Sequence, residues 1–103
     1  VFNPEHITDE LIEERFRILK TQNPAVFTRM SIPNITERLK EINTPILGFW
    51  GAQDRFCPIS GARTLVEQCP NAEMVTLSQC GHWVMIEYAE LFNQRCTDFL
   101  KNK

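Results

Sequence analysis

Two short apolar segments joined by one helical stretch constrain this chain more than anything else in it. The first, Pro45-Ile-Leu-Gly-Phe-Trp50, is a continuous apolar run between turn residues. A run of this kind has no polar face to offer water, so it reads as a strand covered on both sides, as in a parallel sheet. Pro58 to Cys69 then takes helical spacing, with Ala62, Leu65 and Val66 on one side, until Cys69-Pro70-Asn71 stops it. Ala72 to Ser78, carrying Met74, Val75 and Leu77, is predicted as a second strand. A strand–helix–strand unit gives two parallel strands with a right-handed crossover. Two such strands are not a stable sheet by themselves, because both faces and both edges need partners. The expectation is an α/β fold seen in its final part, in a chain that starts at Val1 rather than Met.

Helical patterns flank this unit. Residues 8 to about 21 set Leu11, Ile12, Phe16 and Leu19 in one stripe and turn Glu13, Glu14 and Arg17 to water. Thr8 is placed to cap this helix, and Asp9 and Glu10 suit the positive end of its dipole. Asn23-Pro24 reads as the start of a short second helix through Met30, ended by Pro33. Asn34, with Glu37 three residues on, predicts a third short helix through Ile42. After the Cys80-Gly81-His82 turn, one helix is expected to the end of the chain, with Phe92, Cys96 and Phe99 on one face.

Composition narrows the function classes. With 103 residues and 43% hydrophobic side chains, the chain suits one globular unit. Eleven basic against thirteen acidic residues leave a formal charge of -2, which argues against a nucleic-acid partner. No apolar run approaches the roughly 18 residues of a membrane span, and the first residues lack a signal-peptide pattern. The four cysteines form no CxxC pair, and Cys80 with His82 supplies only two ligands, so no metal or other cofactor is expected. Free thiols in a reducing, cytoplasmic setting are the expectation.

In an open α/β sheet, functional groups collect in loops at the carboxyl ends of the strands. Asp54 follows the first strand in Gly51-Ala-Gln-Asp-Arg-Phe56, and His82 follows the second in Cys80-Gly-His-Trp-Val84. Neighbouring strands lie about 5 Å apart, so these side chains are expected to meet. A carboxylate against one imidazole nitrogen fixes the tautomer and stabilises the cation, leaving the other nitrogen free to take a proton. Each residue also has a bland reading: an Asp in a G-x-x-D turn is commonly a turn or cap residue, and a lone His after a strand is commonly structural.

Trp50-Gly-Ala-Gln-Asp-Arg-Phe-Cys-Pro58, followed by Cys80-Gly-His-Trp-Val-Met-Ile-Glu-Tyr-Ala-Glu-Leu-Phe-Asn93, resembles the C-terminal part of the α/β-hydrolase fold. Within that superfamily it resembles the meta-cleavage product hydrolases, which cut carbon–carbon bonds in ring-fission products of aromatic degradation. The resemblance implies that Asp54 is the triad acid and His82 the general base, with Trp83 and Phe56 lining the substrate pocket. It implies that residues 1–43 are the end of a helical cap domain and 44–103 the C-terminal part of the core. Ile7-Thr-Asp-Glu-Leu-Ile-Glu-Glu-Arg-Phe16 resembles the cap helix that offers an arginine to the substrate, a role that falls on Arg15. The planar guanidinium fork suits a carboxylated dienone.

No G-x-S-x-G nucleophile elbow occurs; Ser31, Ser60 and Ser78 are the only serines, and none lies between glycines. The superfamily order of nucleophile, acid and base puts the serine before Val1, so the chain alone is expected to be inactive. An esterase of the same fold, or an interaction module lacking the serine, is the competing reading. An open apolar strand edge also predicts self-association of the chain.

Overall fold

A computed structural model describes residues 1–28 and 30–102 of the chain. Its centre is a two-stranded parallel sheet of β1 (Ile46–Gly51) and β2 (Ala72–Leu77), in a register running from Ile46 opposite Ala72 to Gly51 opposite Leu77. Helix α1 covers Asp9–Lys20, α2 Ala25–Thr28, α3 Ser60–Gln68, α4 Val84–Glu87 and α5 Ala89–Lys101. Phe49 of β1 meets Phe92 of α5 with ring centroids 4.7 Å apart. Successive strand residues point to opposite faces, and Trp50, the next residue, lies against Gly61 of α3. The sheet is thus a middle layer between α3 and α5. The smallest and most deeply buried side chains, Ala62, Cys69, Cys80 and Val84, mark the core, joined by Leu39. β1 is half-buried along most of its length rather than enclosed on both faces.

Three helical expectations are corrected. The second helix stops at Thr28 instead of reaching Met30, a single turn held by the Asn23 side chain accepting from the Ala25 N–H at 2.9 Å; residue 29 lies outside the described residues. The third is a 3₁₀ segment, Thr36–Glu41, in which Asn34 Oδ1 accepts from the Thr36 N–H and Glu37 makes no reciprocal cap. Its backbone closes tighter turns, the Arg38 N–H donating to Ile35 O at 2.8 Å and the Ile42 N–H to Leu39 O at 3.0 Å. The C-terminal helix is broken at Tyr88, whose φ and ψ of -133° and 53° are not helical. The Tyr88 hydroxyl donates to the Ser78 carbonyl at 2.7 Å, an anchor that draws the backbone out of helical geometry between α4 and α5.

α1 begins as its sequence requires. Thr8 Oγ1 accepts from the Leu11 N–H at 3.1 Å, and Asp9 and Glu10 sit in the first turn. Its apolar stripe is not covered: Ile12, Phe16 and Leu19 are all exposed. No helix among the described residues is long and apolar enough to cross a membrane.

The carboxyl ends of the strands are bound together by backbone. The Ala52 N–H donates to Leu77 O at 2.8 Å, and the Gln53 N–H to Cys80 O at 2.9 Å. This approach needs a glycine at position 51, where a Cβ would overlap the carbonyl oxygens of Gly81 and Cys80. Backbone on both sides leaves nothing flexible to give way. Gly51→Ala is therefore expected to destabilise the chain by about 1–3 kcal/mol, in the range of other overpacking substitutions, and urea denaturation measures it. An unchanged midpoint would show that the two loops separate freely.

Neither strand has a second neighbour among the described residues. Unpaired strand N–H and C=O groups template pairing with another copy. Sedimentation at low micromolar concentration is expected to show a dimer or larger species, and a monomer there would overturn this.

Candidate active site

The turn after β1 is organised by Asp54. Its N–H donates to Gly51 O at 3.2 Å, and its Oδ1 accepts from the N–H groups of Phe56 and Cys57, both at 2.9 Å. Trp50 fixes the far side of the same turn, its indole N–H donating to Cys57 O at 2.9 Å. Asp54 Oδ2 is left for His82, whose Nδ1 lies 2.8 Å away. The turn-residue reading of Asp54 and the paired reading hold together, one oxygen for each.

The pair is asymmetric in exposure: the Asp54 side chain is 5% exposed and that of His82 43%. Burial pushes the Asp54 carboxyl pKa up, but the Cys57 N–H, the His82 side chain and the Phe56 N–H together outweigh it and hold the group below the usual carboxylate range. An ionised carboxylate only accepts, so the proton between the two belongs to His82 Nδ1, and Nε2 is the nitrogen left with a lone pair.

The other candidate residues surround the imidazole. Phe56, itself exposed, places its ring 5.0 Å from that of His82. Arg15 reaches over from α1 and sets its guanidinium carbon 5.0 Å from the centre of a Trp83 ring. Arg15 and Trp83 line a groove of about 470 Å³ with Leu11, Ile12, Phe16 and His82. Phe56 lies in a separate cavity of about 610 Å³ with Gln53, Asp54 and His82. His82 and Val1 line both.

Cys80 sits two residues from His82 and is fully buried. Burial, followed by the charges of Glu87 and Asp54, pushes its thiol pKa up to about 11, so it stays protonated near neutral pH and is no thiolate nucleophile. All four cysteines are free. Among the described residues, no three His, Cys, Asp or Glu side chains are grouped to hold a metal ion.

Two residues that the sequence reading passed over hold the His82 loop. Gln53 Oε1 accepts from the Cys80 N–H at 3.0 Å. Glu87 accepts from the Gly81 N–H at 3.0 Å through Oε1 and from the Trp83 N–H at 3.1 Å through Oε2. A signal for Glu87 was present, since an acidic residue in the first turn of a helix can reach back to N–H groups before it.

A strand–helix–strand unit with an acid after the first strand and a histidine after the second recurs in known proteins. Residues 7–89 match the family described as the alpha/beta hydrolase fold. The chain belongs to that family. Among curated members, it is 44% identical over 87 residues to a 2-hydroxy-6-oxononadienedioate/2-hydroxy-6-oxononatrienedioate hydrolase of Paraburkholderia phymatum, covering 84% of this chain and 28% of the relative. It is 33% identical over 111 residues to a 2-hydroxy-6-oxo-6-phenylhexa-2,4-dienoate hydrolase of Burkholderia cepacia, covering 99% of this chain and 38% of the relative. The fold is shared with a meta-cleavage product hydrolase from Pseudomonas fluorescens IP01, with a TM-score of 0.77 at 23% identity over 99% of this chain and 42% of that one. This α/β-hydrolase chain thus spans well under half the length of the relatives it matches.

Acid should act on this site with a defined sign. Asp54 has a folded-state pKa below its unfolded one, so its contribution to stability is present above about pH 4, the unfolded carboxyl value, and is lost as pH falls through the lower folded value. Urea midpoints at pH 6 and pH 3 are expected to differ less for Asp54→Asn than for the unaltered chain. Equal acid sensitivity would mean that the Asp54 bonds add nothing to stability.

Proposed function

We propose that this chain is the acid- and base-bearing part of a serine-type α/β hydrolase that cleaves a carbon–carbon bond in a 2-hydroxy-6-oxo-dienoate. The observation that carries the reading is the 2.8 Å contact of Asp54 Oδ2 with His82 Nδ1, at the carboxyl ends of paired parallel strands. Asp54 holds the tautomer and balances the imidazolium charge, and His82 moves the proton. The nucleophilic serine belongs to sequence preceding Val1, and the share of the relatives' length that this chain spans supports that placement. Residues 1–43 are then the end of the cap and 44–103 the end of the core.

In the reaction, water adds across the scissile bond. Hydroxyl goes to the acyl carbon and a proton to the departing carbon, with the intermediate ketonised on the way. His82 Nε2 takes a proton from serine or water and returns it to substrate. Arg15 pairs with the substrate carboxylate, which its place in the groove beside His82 and Trp83 supports. Trp83 and Phe56 pack the apolar parts of the substrate. Among ligands for that groove, a small carboxylated dienone fits its apolar walls and single cation. Four free cysteines suit a cytoplasmic setting.

Steady-state kinetics of the longer protein containing this chain test the reading. His82→Ala is expected to lower kcat for a dienoate by about a hundred- to ten-thousand-fold. Arg15→Ala is expected to raise KM for the dienoate and leave a carboxylate-free ester untouched. Equal damage to both substrates would make Arg15 structural. Faster turnover of simple esters than of dienoates would replace the carbon–carbon hydrolase by an esterase.

A further inference from the structure

We infer that Glu87 is a positioning residue for His82, its carboxylate folded back along the loop to hold the imidazole against Asp54. The inference rests on the reading of Asp54 and His82 as an acid–base pair. The two oxygens of Glu87 bracket the histidine in the chain: one takes the N–H of Gly81, the residue before it, and the other the N–H of Trp83, the residue after it. A cap for the single turn of α4 would need only the Trp83 N–H, since Trp83 is the N-cap of that helix. Reaching past His82 to Gly81 is more than the helix requires.

Further contacts fit a clamp. Oε1 also accepts from the Phe2 N–H at 2.5 Å, drawing the first residues across the loop. A Cβ on Gly81 would meet the Val1 and Phe2 backbone at 3.0 Å, so the glycine admits that crossing segment. Gln53 ties Cys80 to the Asp54 loop through both its N–H and its carbonyl. The His82 backbone is therefore fixed on both sides, by residues anchored to opposite ends of the site. Burial pushes the Glu87 pKa up, but hydrogen bonds from the Phe2, Gly81 and Trp83 N–H groups help to lower it overall, in keeping with an ionised acceptor.

Glu87 acts on chemistry only through the place it gives His82. Removing it should loosen the imidazole while the sheet and its helices persist.

The test is nuclear magnetic resonance of the 103-residue chain, labelled with ¹⁵N. In the unaltered chain, His82 is expected to hold its proton on Nδ1, with a low-field resonance from the bond to Asp54, and the Gly81 and Trp83 amides to exchange slowly together. In Glu87→Ala, the low-field resonance is expected to vanish, the tautomers to mix, and exchange at Gly81 and Trp83 to quicken by at least about tenfold, as loss of a charge-assisted hydrogen bond implies. Glu87→Gln, with one accepting oxygen left, should fall between the two. Leu39→Ala, which removes a buried side chain from the 3₁₀ segment Thr36–Glu41, serves as a comparator that lowers stability away from the loop and should leave the His82 signals unchanged. A folded Glu87→Ala with unaltered His82 signals overturns the inference. If neither Glu87 variant folds, the unaltered chain decides: fast, independent exchange at Gly81 and Trp83 would overturn it equally. None of these signals depends on turnover: if the clamp is confirmed in this chain but the longer protein containing it hydrolyses neither dienoates nor esters, the function is refuted and the clamp stands.

Discussion

Parallel pairing of β1 with β2 is the interaction from which the rest of the molecule follows. The register that sets Gly51 opposite Leu77 brings both strands to an end at the same level, so the loops that follow emerge side by side. Side-chain chemistry is then a matter of short reach, with Asp54 three residues past one strand and His82 five past the other. Gly51 is the residue that lets this happen, because the space its side chain would occupy belongs to the carbonyls of the opposite loop. The layers above and below, α3 against Trp50 and α5 against Phe92, keep the strands from sliding.

Polar groups near the site are used economically. Asp54 gives one oxygen to its own turn and one to His82, so the geometry of the turn and the geometry of the pair cannot vary independently. Cys80, though adjacent, is kept out of the chemistry by burial and by the two carboxylates that flank it. Glu87 and Gln53 use their acceptors on backbone N–H groups, which turns a glycine-containing loop into a fixed platform.

Much of this was legible from residues alone. Both strands lie within one residue of where the apolar runs of Pro45–Trp50 and Ala72–Ser78 put them, because continuous apolar runs between turn residues have few other uses. The meeting of Asp54 with His82 followed from those strands being neighbours. The Tyr88 break did not show, since the pull comes from a hydroxyl bonding a carbonyl ten residues earlier, and helical spacing continues through it. The 3₁₀ form of Thr36–Glu41 was hidden because a capping pattern looks the same whether the turns behind it are tight or regular. Gln53, and the reach of Glu87 past the helix start to Gly81, were missed for a more general reason. Their partners are main-chain N–H groups, which nearly every residue possesses, so nothing in the side-chain pattern marks who receives them.

The unequal exposure of the Asp54–His82 pair has a consequence for proton traffic. Water meets the imidazole along its open side, while the carboxylate is closed off by the turn it builds. Protons therefore enter and leave the pair through the ring and not through the acid. The carboxylate behaves as a sealed counter-charge: it feels each change in the imidazole but has no independent exchange with bulk solvent. Two cavities meet the imidazole, so replenishment of the pair depends on what occupies both, and a molecule that filled the Trp83 groove and the Phe56 cavity together would control access to the proton.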